Sequence, residues 1–388
     1  MGIPPTICWT EDGAARSARW HSASCAAPPQ RVIIADDRIT ADAAFRLASE
    51  GTALLWRGDF QNARQLLQAM ARRIARKVRK AAPATASPAE AFHLYRQAQS
   101  QRARTLGMLL LPFDEDYRVP LRRAPDVHQA CSEAYGAAAV GQGPFVASLR
   151  ELLGLIGAHE WRRTGVVVPA LGARIHPHYG VFAPIRGEYV GLVAAAPLPP
   201  ACTLAFDIGT GTGVLAAVLA QRGIARIVAT DQDPRALACA AENVARLGLA
   251  ARVEVVVADL FPPGRAPLIV CNPPWLPARA ASPLERAVFD PDSRMLMGFI
   301  KGLAAHLEPG GEGWLVLSDL AEHLGLRSRA ELLGALEAAG LEVLGRIDAK
   351  PGHPRAADTA DPLHAARAAE VTSLWRLALA LRFLRKQP

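Results

Sequence analysis

The stretch Phe206-Asp207-Ile208-Gly209-Thr210-Gly211-Thr212-Gly213-Val214 decides the fold of the second half of the chain. An apolar run ends in an acid, three glycines follow at alternate positions, and the helix-forming run Val214 to Leu219 comes next. Leu204, Ala205, Phe206 and Ile208 read as a buried parallel strand, which places the glycines in a strand-to-helix turn. A backbone without Cβ atoms can turn sharply there and let a nucleotide-like ligand lie against the main chain.

Downstream of this turn, strand and helix patterns alternate. Strands are expected at Thr203–Ile208, Ile227–Thr230, Val253–Val257, Leu268–Cys271, Trp314–Ser318, Leu341–Ile347 and from Val371 to Phe383. Regular alternation predicts a doubly wound α/β fold, a mostly parallel sheet of seven strands covered by helices on both faces. The loop from Lys350 to Ala369, with His353, Arg355, His364 and Arg367, is too long for a tight hairpin and is expected at the ligand edge, over a substrate pocket.

Two cofactors compete for the glycine turn. A dinucleotide fingerprint requires G-x-G-x-x-G, so that its third glycine lets the helix pack closely. Here the order is G-x-G-x-G, and Val214 occupies the third-glycine position. That spacing disfavours a dinucleotide.

The succession acid, G-x-G-x-G, acid, acid and Asn-Pro-Pro-aromatic resembles the class I S-adenosylmethionine-dependent methyltransferases. Within them it is most similar to the branch of small-domain (ribosomal) RNA methyltransferases and release-factor glutamine methyltransferases. The resemblance implies a Rossmann-like methyltransferase domain over residues 175–388, with S-adenosyl-L-methionine as cofactor. It assigns the methionine end of the cofactor to Asp207 and the turn Gly209, Thr210, Gly211 and Gly213. It assigns the ribose hydroxyls to Asp231 beside Gln232, and the neighbourhood of the adenine amine to Asp259 and Leu260. Asp233 reads more simply as the N-cap of a helix opening at Pro234.

The fourth strand delivers Cys271-Asn272-Pro273-Pro274-Trp275. An amide or nucleobase amine has its nitrogen lone pair delocalised into a π-system and is a poor nucleophile toward a sulfonium methyl. Acceptors that bind its N–H hydrogens localise and aim that lone pair. The Asn272 side-chain oxygen and the Pro273 carbonyl are the expected acceptors, consistent with what the resemblance implies, and Asn272 also borders the cofactor. Prolines fix the backbone and Trp275 offers a stacking face. Alignment and charge complementarity then supply most of the rate. The family's aromatic is more usually tyrosine or phenylalanine.

The segment Tyr179 to Tyr189 resembles the hydrophobic-Pro-Arg-x-x-x-Glu segment that closes over the cofactor in release-factor glutamine methyltransferases. Phe182, Pro184, Arg186 and Glu188 are therefore candidate pocket residues, although the arginine is displaced from the family's position. His176-Pro177-His178 lacks further ligands at metal spacing, and no metal is expected.

The first half is less legible. Residues 1–30 are expected to be irregular, and 31–170 to form a separate, mainly helical α+β domain. Expected helices run Thr40 to Glu50, Phe60 to Lys80 behind an Asp59 cap, Ser87 to Arg104, Ala124 to Tyr135 and Phe145 to Ile156. Strands are expected at Arg31–Asp36, Leu106–Phe113 and Tyr117–Arg123, and an Ala/Pro/Ser linker at Ala81 to Pro88. Arg72, Arg73, Arg76, Lys77, Arg79 and Lys80 crowd the end of the second helix, where the helix dipole alone favours cations. Residues 1–190 hold 24 Lys+Arg against 16 Asp+Glu, which accounts for the whole net charge of +8. This split points to an acidic partner for the first half, RNA or a ribosome-associated substrate gripped by residues 72–80.

With 51% apolar and 21% charged residues the chain is globular rather than disordered. Its six scattered cysteines suggest a reduced compartment. Met1 to Trp9 lacks a basic start, so no leader is expected, and Pro197, Pro199 and Pro200 break the longest uncharged stretch, so no membrane span is expected either. A cytoplasmic N-methyltransferase of RNA is the leading expectation. The alternatives are a methyltransferase of a glutamine amide in a translation factor, and a cofactor-binding protein without turnover.

Overall fold

A computed structural model describes residues 5–80, 87–138, 141–280, 284–352 and 358–380, the side chains of 77–80 and 284 excepted. Two compact units are present, the first formed by 1–86 with 93–160 and the second by 87–92 with 161–388.

In the first unit, β1 (Thr6–Glu11), β2 (Ala14–Trp20), β3 (Arg31–Ala35), α1 (Ala41–Ser49), β4 (Thr52–Trp56) and α2 (Phe60–Lys80) are followed by α3 (Pro88–Gly107), β5 (Leu109–Phe113), α4 (His128–Tyr135), β6 (Phe145–Ser148) and α5 (Leu149–Thr164). The six strands form one mixed sheet in the order β1-β2-β6-β5-β4-β3. The Thr40 cap, the Ser87/Glu90 capping pair and the buried stripe Leu66, Leu67 and Met70 of α2 stand as expected.

Several expectations are corrected. Residues 6–20 are a β-hairpin, not an irregular segment. Asp12 and Gly13 at its tip both have positive φ, +51° and +75°, the backbone that an Asp-Gly hairpin turn requires. Tyr117–Arg123 is no strand, because Tyr117 and Arg123 sit at φ +70° and +55° and Pro120 has no N–H to pair. The helix expected from Ala124 starts only at His128, after Pro125. Phe145–Ser148 pairs with β5, and the helix expected there begins at Leu149 with Ser148 Oγ accepting from Glu151 N at 3.0 Å. β4, buried at all five positions, was not anticipated from sequence. Of the linker expected at 81–88, residues 81–86 lie outside the described residues, and Ser87 and Pro88 begin α3.

The second unit begins with the hairpin β7 (Val166–Val168) and β8 (Ala173–Ile175), then α6 (Glu188–Ala195). Val168, Leu171 and Ile175 pack into its core, which moves the expected boundary back from 170–175 to 160. There follow β9 (Leu204–Ile208), α7 (Val214–Gln221), β10 (Arg226–Asp231), α8 (Pro234–Arg246), β11 (Val253–Val257), β12 (Ala266–Cys271), α9 (Arg294–His306), β13 (Leu307–Ser318), α10 (Leu320–His323), α11 (Arg329–Ala338), β14 (Leu341–Ala349), α12 (His364–Ala369) and β15 (Thr372–Leu379).

The sheet order is β11-β10-β9-β12-β13-β15-β14, parallel except for β15. Strand side chains alternate between two cores. Ala205, Ile227, Leu268 and Trp314 face α6 and α7, whereas Phe206, Val228, Ile269 and Leu315 face α9 and α11. Burial on both faces gives these strands their near-continuous apolar sequence. Strand order reverses between β9 and β12, whose carboxyl ends carry the glycine turn and Asn272; ligands of open α/β sheets bind at such a switch point.

Candidate active site

The glycine turn is held by two acids. Asp207, 1% exposed, accepts from Thr210 Oγ1 at 2.6 Å and from Ala216 N at 3.0 Å, satisfying an N–H of the first turn of α7. Burial pushes its carboxyl up to about 6, against the pull of those two donors and with help from the charge of Asp231. Asp231 closes β10 and accepts from Gly211 N at 3.1 Å and Asp233 N at 2.9 Å. Burial raises its carboxyl too. Asp233 is the N-cap of α8, its side chain accepting from Arg235 N.

Three glycines in this turn have positive φ. A Cβ at Gly209 would come within 2.3 Å of Met295 Cε, and one at Gly213 within 3.2 Å of the Ala240 backbone. A Cβ at Gly211 meets nothing within 4 Å, so Gly211 borders the open side of the turn. Thr210 N donates to the Thr230 carbonyl at 2.8 Å, tying the loop to β10. Gln232 is exposed beside Asp231.

Residues 258–260 return to the same edge, since Ala258 N donates to the Asp231 carbonyl. Leu260 adopts φ +75° and its carbonyl accepts from Thr230 Oγ1 at 2.6 Å. Asp259 is exposed and paired with Arg294 at 3.1 Å, a surface ion pair of small energetic weight.

Asn272, Pro273, Pro274 and Trp275 leave the end of β12 as expected, and the structure adds a bond that sequence did not reveal. Trp275 Nε1 donates to Asn272 Oδ1 at 2.9 Å. The indole also packs against both cores, so its plane is fixed. A carbonyl oxygen has two lone pairs, and one remains for another donor.

Phe182 and Pro184 lie in the segment leading to α6, half-buried and buried respectively. Arg186 is engaged elsewhere: its Nη1 pairs with Glu370 Oε1 at 3.2 Å, and Glu370, 1% exposed, also accepts from Ser318 Oγ at 2.7 Å. The displaced arginine thus straps this segment to the start of β15. Removing it strands a buried carboxylate. Arg186→Ala is expected to lower unfolding stability by about 3 kcal/mol, and Arg186→Ala with Glu370→Gln to recover much of that, both read from urea melts.

Glu188 opens α6 with Oε1 enclosed and without a donor among the described residues. Burial and then the charges of Asp207 and Glu188 push up the phenol of the buried Tyr189, so both acids act on one ring. Asp207 and Asp231 border the turn and neither has an opposing cation among the described ion pairs, and these acceptors fit a positively charged nucleoside. Sequence reasoning missed Glu370 and Asn243. Asn243 is buried in α8 and donates to the Thr212 carbonyl at 3.1 Å while accepting from His176 N at 2.7 Å. Neither has a motif around it. His178 pairs with Glu242 at 2.8 Å.

Residues 173–338 match the family model of the methyltransferase small domain. The matched residues lie wholly within the second unit. Its most similar curated relatives include the release factor glutamine methyltransferase of Cereibacter sphaeroides, 39% identical over 170 residues, 40% of this chain and 58% of the relative. The ribosomal protein L11 methyltransferase of Pelotomaculum thermopropionicum is 38% identical over 143 residues, 36% of this chain and 39% of its own. The tRNA1(Val) (adenine(37)-N6)-methyltransferase of Bacteroides thetaiotaomicron is 36% identical over 126 residues, 30% of this chain and 53% of its own. The chain spans about half the length of the curated relatives it matches. Asp207, Asp231, Asp259 and Asn272 all lie inside the matched residues 173–338, and the match does not reach the first unit.

Proposed function

We propose that the chain is an S-adenosyl-L-methionine-dependent N-methyltransferase whose acceptor is a planar nitrogen, a nucleobase amine in RNA. The carrying observation is the juxtaposition at one switch point of the acid-bordered glycine turn and the Asn272-Pro273-Pro274-Trp275 turn. Asp207, Glu188 and the turn would hold the cationic methionine end, Asp231 the ribose hydroxyls and the 258–260 edge the adenine. The cofactor supplies an electrophilic methyl on its sulfonium. Asn272 Oδ1 and the Pro273 carbonyl hold the N–H hydrogens of the acceptor and turn its lone pair toward that methyl. Trp275 fixes the Asn272 amide by its hydrogen bond and walls the pocket.

The charge split favours RNA, with the exposed Arg72 and Arg76 of α2 available for backbone contact, and a cytoplasmic location belongs to this reading. The loop 350–369 is proposed to border the pocket; its described part contains α12, while His353 and Arg355 lie outside the described residues. A second reading, a glutamine amide in a translation factor, is favoured by relatives named for that reaction and by the Pro184/Glu188 match. Methyl-labelled cofactor incubated with the chain and cell extract, then separated into RNA, DNA and protein, tests both. Label in RNA that declines steeply between 50 and 200 mM salt is expected; label confined to protein sinks the RNA reading and leaves the enzyme.

A further inference from the structure

Met295, Gly298 and Gly302 stand at helical spacing on the face of α9 that meets the glycine turn and the loop after β11. A Cβ at Gly298 would fall 2.6 Å from Leu260 Cδ1, and one at Gly302 would fall 2.5 Å from Phe261 Cε2, so the helix lies directly on that loop. Its first turn is fixed as well. Met295 N donates to both oxygens of Asp290, at 3.1 and 2.9 Å, and Arg294 pairs with Asp259 at 3.1 Å.

This close approach brings the Met295 side chain onto the glycine turn. A Cβ at Gly209 would overlap Met295 Cε and stand 3.6 Å from its Sδ, whereas one at Gly211 meets nothing within 4 Å. The turn is therefore covered at Gly209 and open at Gly211. Ile208 and Cys271 are partners in the β9–β12 register, so the next residues, Gly209 and Asn272, leave the sheet side by side, about one strand spacing (~4.8 Å) apart. Asp290, which holds Met295 N, donates its own N–H to the carbonyl of Leu276, the residue after Trp275, at 2.9 Å. Met295 thus touches the cofactor turn with its thioether and is tied to the acceptor turn through one carboxylate.

We propose that Met295 is the specificity-determining residue for the alkyl group on the sulfonium: its thioether walls the space between Gly209 and Asn272, admitting a methyl and resisting a longer chain. The proposal rests on the methyltransferase reading, in which the methyl passes between those two turns. A thioether suits the position because it brings neither charge nor a hydrogen-bond donor beside a sulfonium. Met295 also packs against the core under α9, which limits how far it can withdraw, so an added methylene is met as crowding.

The test is calorimetric titration of the full chain with S-adenosyl-L-methionine and S-adenosyl-L-ethionine, which carry the same charge and differ by one methylene. S-adenosylhomocysteine, which lacks the alkyl group, is the reference ligand. The wild type is expected to bind the ethyl compound about tenfold more weakly than the methyl compound, the discrimination one methylene gives in a fitted pocket. Met295→Ala is expected to bring the two affinities within about twofold of each other while leaving that for S-adenosylhomocysteine nearly unchanged. Met295→Val, which shortens the side chain less, moves the preference in the same direction, and Met295→Leu, of similar volume, keeps it.

A wild type without preference overturns the proposal, as does a preference that the folded Met295→Ala and Met295→Val both retain. An equal loss of affinity for all three compounds in these variants assigns Met295 to the shape of the turn and overturns it as well. Methyl transfer to RNA or protein with the preference unmoved removes the wall and spares the methyltransferase reading. A preference that Met295→Ala relaxes, in a chain that transfers methyl to neither, upholds the wall and sinks that reading; a chain that binds none of the three compounds sinks both.

Discussion

Replacing Asn272 by alanine is expected to lower the rate of methyl transfer about a thousandfold, the scale seen when a preorganised hydrogen-bonding group is removed from a reacting centre. Affinity for S-adenosylhomocysteine should change less than about tenfold, the worth of a single net hydrogen bond. The reason lies in the position of one oxygen. Asn272 is the first residue beyond β12, and its Oδ1 is held by Trp275 Nε1 at 2.9 Å. That bond fixes which end of the amide faces the pocket. Alanine removes the acceptor and leaves the indole N–H unpartnered, so some stability is lost as well.

Two companion variants separate the effects. Asn272→Asp keeps an acceptor for the indole and should retain the fold. Trp275→Phe keeps Asn272 and frees its amide, so a fall in kcat with little change in thermal stability is expected from loss of orientation. Single-turnover transfer of labelled methyl is the measurement. A rate within tenfold of wild type for Asn272→Ala would mean that another group aims the nitrogen.

The second large effect concerns Asp207. Its folded carboxyl titrates at about 6 instead of 3.8 because burial disfavours the charge. A carboxyl with a raised folded value contributes stability that is present below 3.8 and is lost as pH rises to about 6, a change of roughly 3 kcal/mol for a shift of this size. A cofactor carrying positive charge selects the ionised form, so its affinity should climb with pH up to about 6 and level off above it. Binding near that pH should release a fraction of a proton, seen as a dependence of calorimetric enthalpy on buffer ionisation.

Asp207→Asn should abolish the release and weaken binding about a hundredfold, on the scale set by removing one partner of a buried charge pair. Asp207→Ala should also lose stability, because Thr210 Oγ1 and Ala216 N are left without their acceptor. Binding independent of pH from 5 to 8 in the wild type would show that this carboxyl does not face the cofactor's charge.

The second unit was legible because its information is local. Strands buried on both faces are apolar runs, and the glycine turn, Asp231, Asp233 and Asn272 each stand at the end of a strand or within two residues of it, so motif and element arrive together. All seven expected strands form among the described residues, with boundaries shifted by a few residues at most places and by more for β13, while residues 381–383 of the last expected strand lie outside the described residues. The first unit was harder. Tyr117–Arg123 has strand-like residues but positive φ at two of them, and Phe145–Ser148 becomes a strand because β2 and β5 lie on either side of it. The Asp12-Gly13 tip was a readable hairpin signal; its strands lack the apolar alternation that usually accompanies one.

The sequence by itself determined the chemistry on offer, an acid-bordered glycine turn and an Asn-Pro-Pro-Trp turn on successive strands of a doubly wound sheet. Tertiary structure alone decided which polar groups were already spent. Arg186 went to Glu370, 184 residues away, and the Asn272 oxygen took the indole N–H. Hydrogen bonds between residues far apart in the chain leave no spacing to read, whereas a turn after a strand is fixed by a handful of neighbouring φ angles.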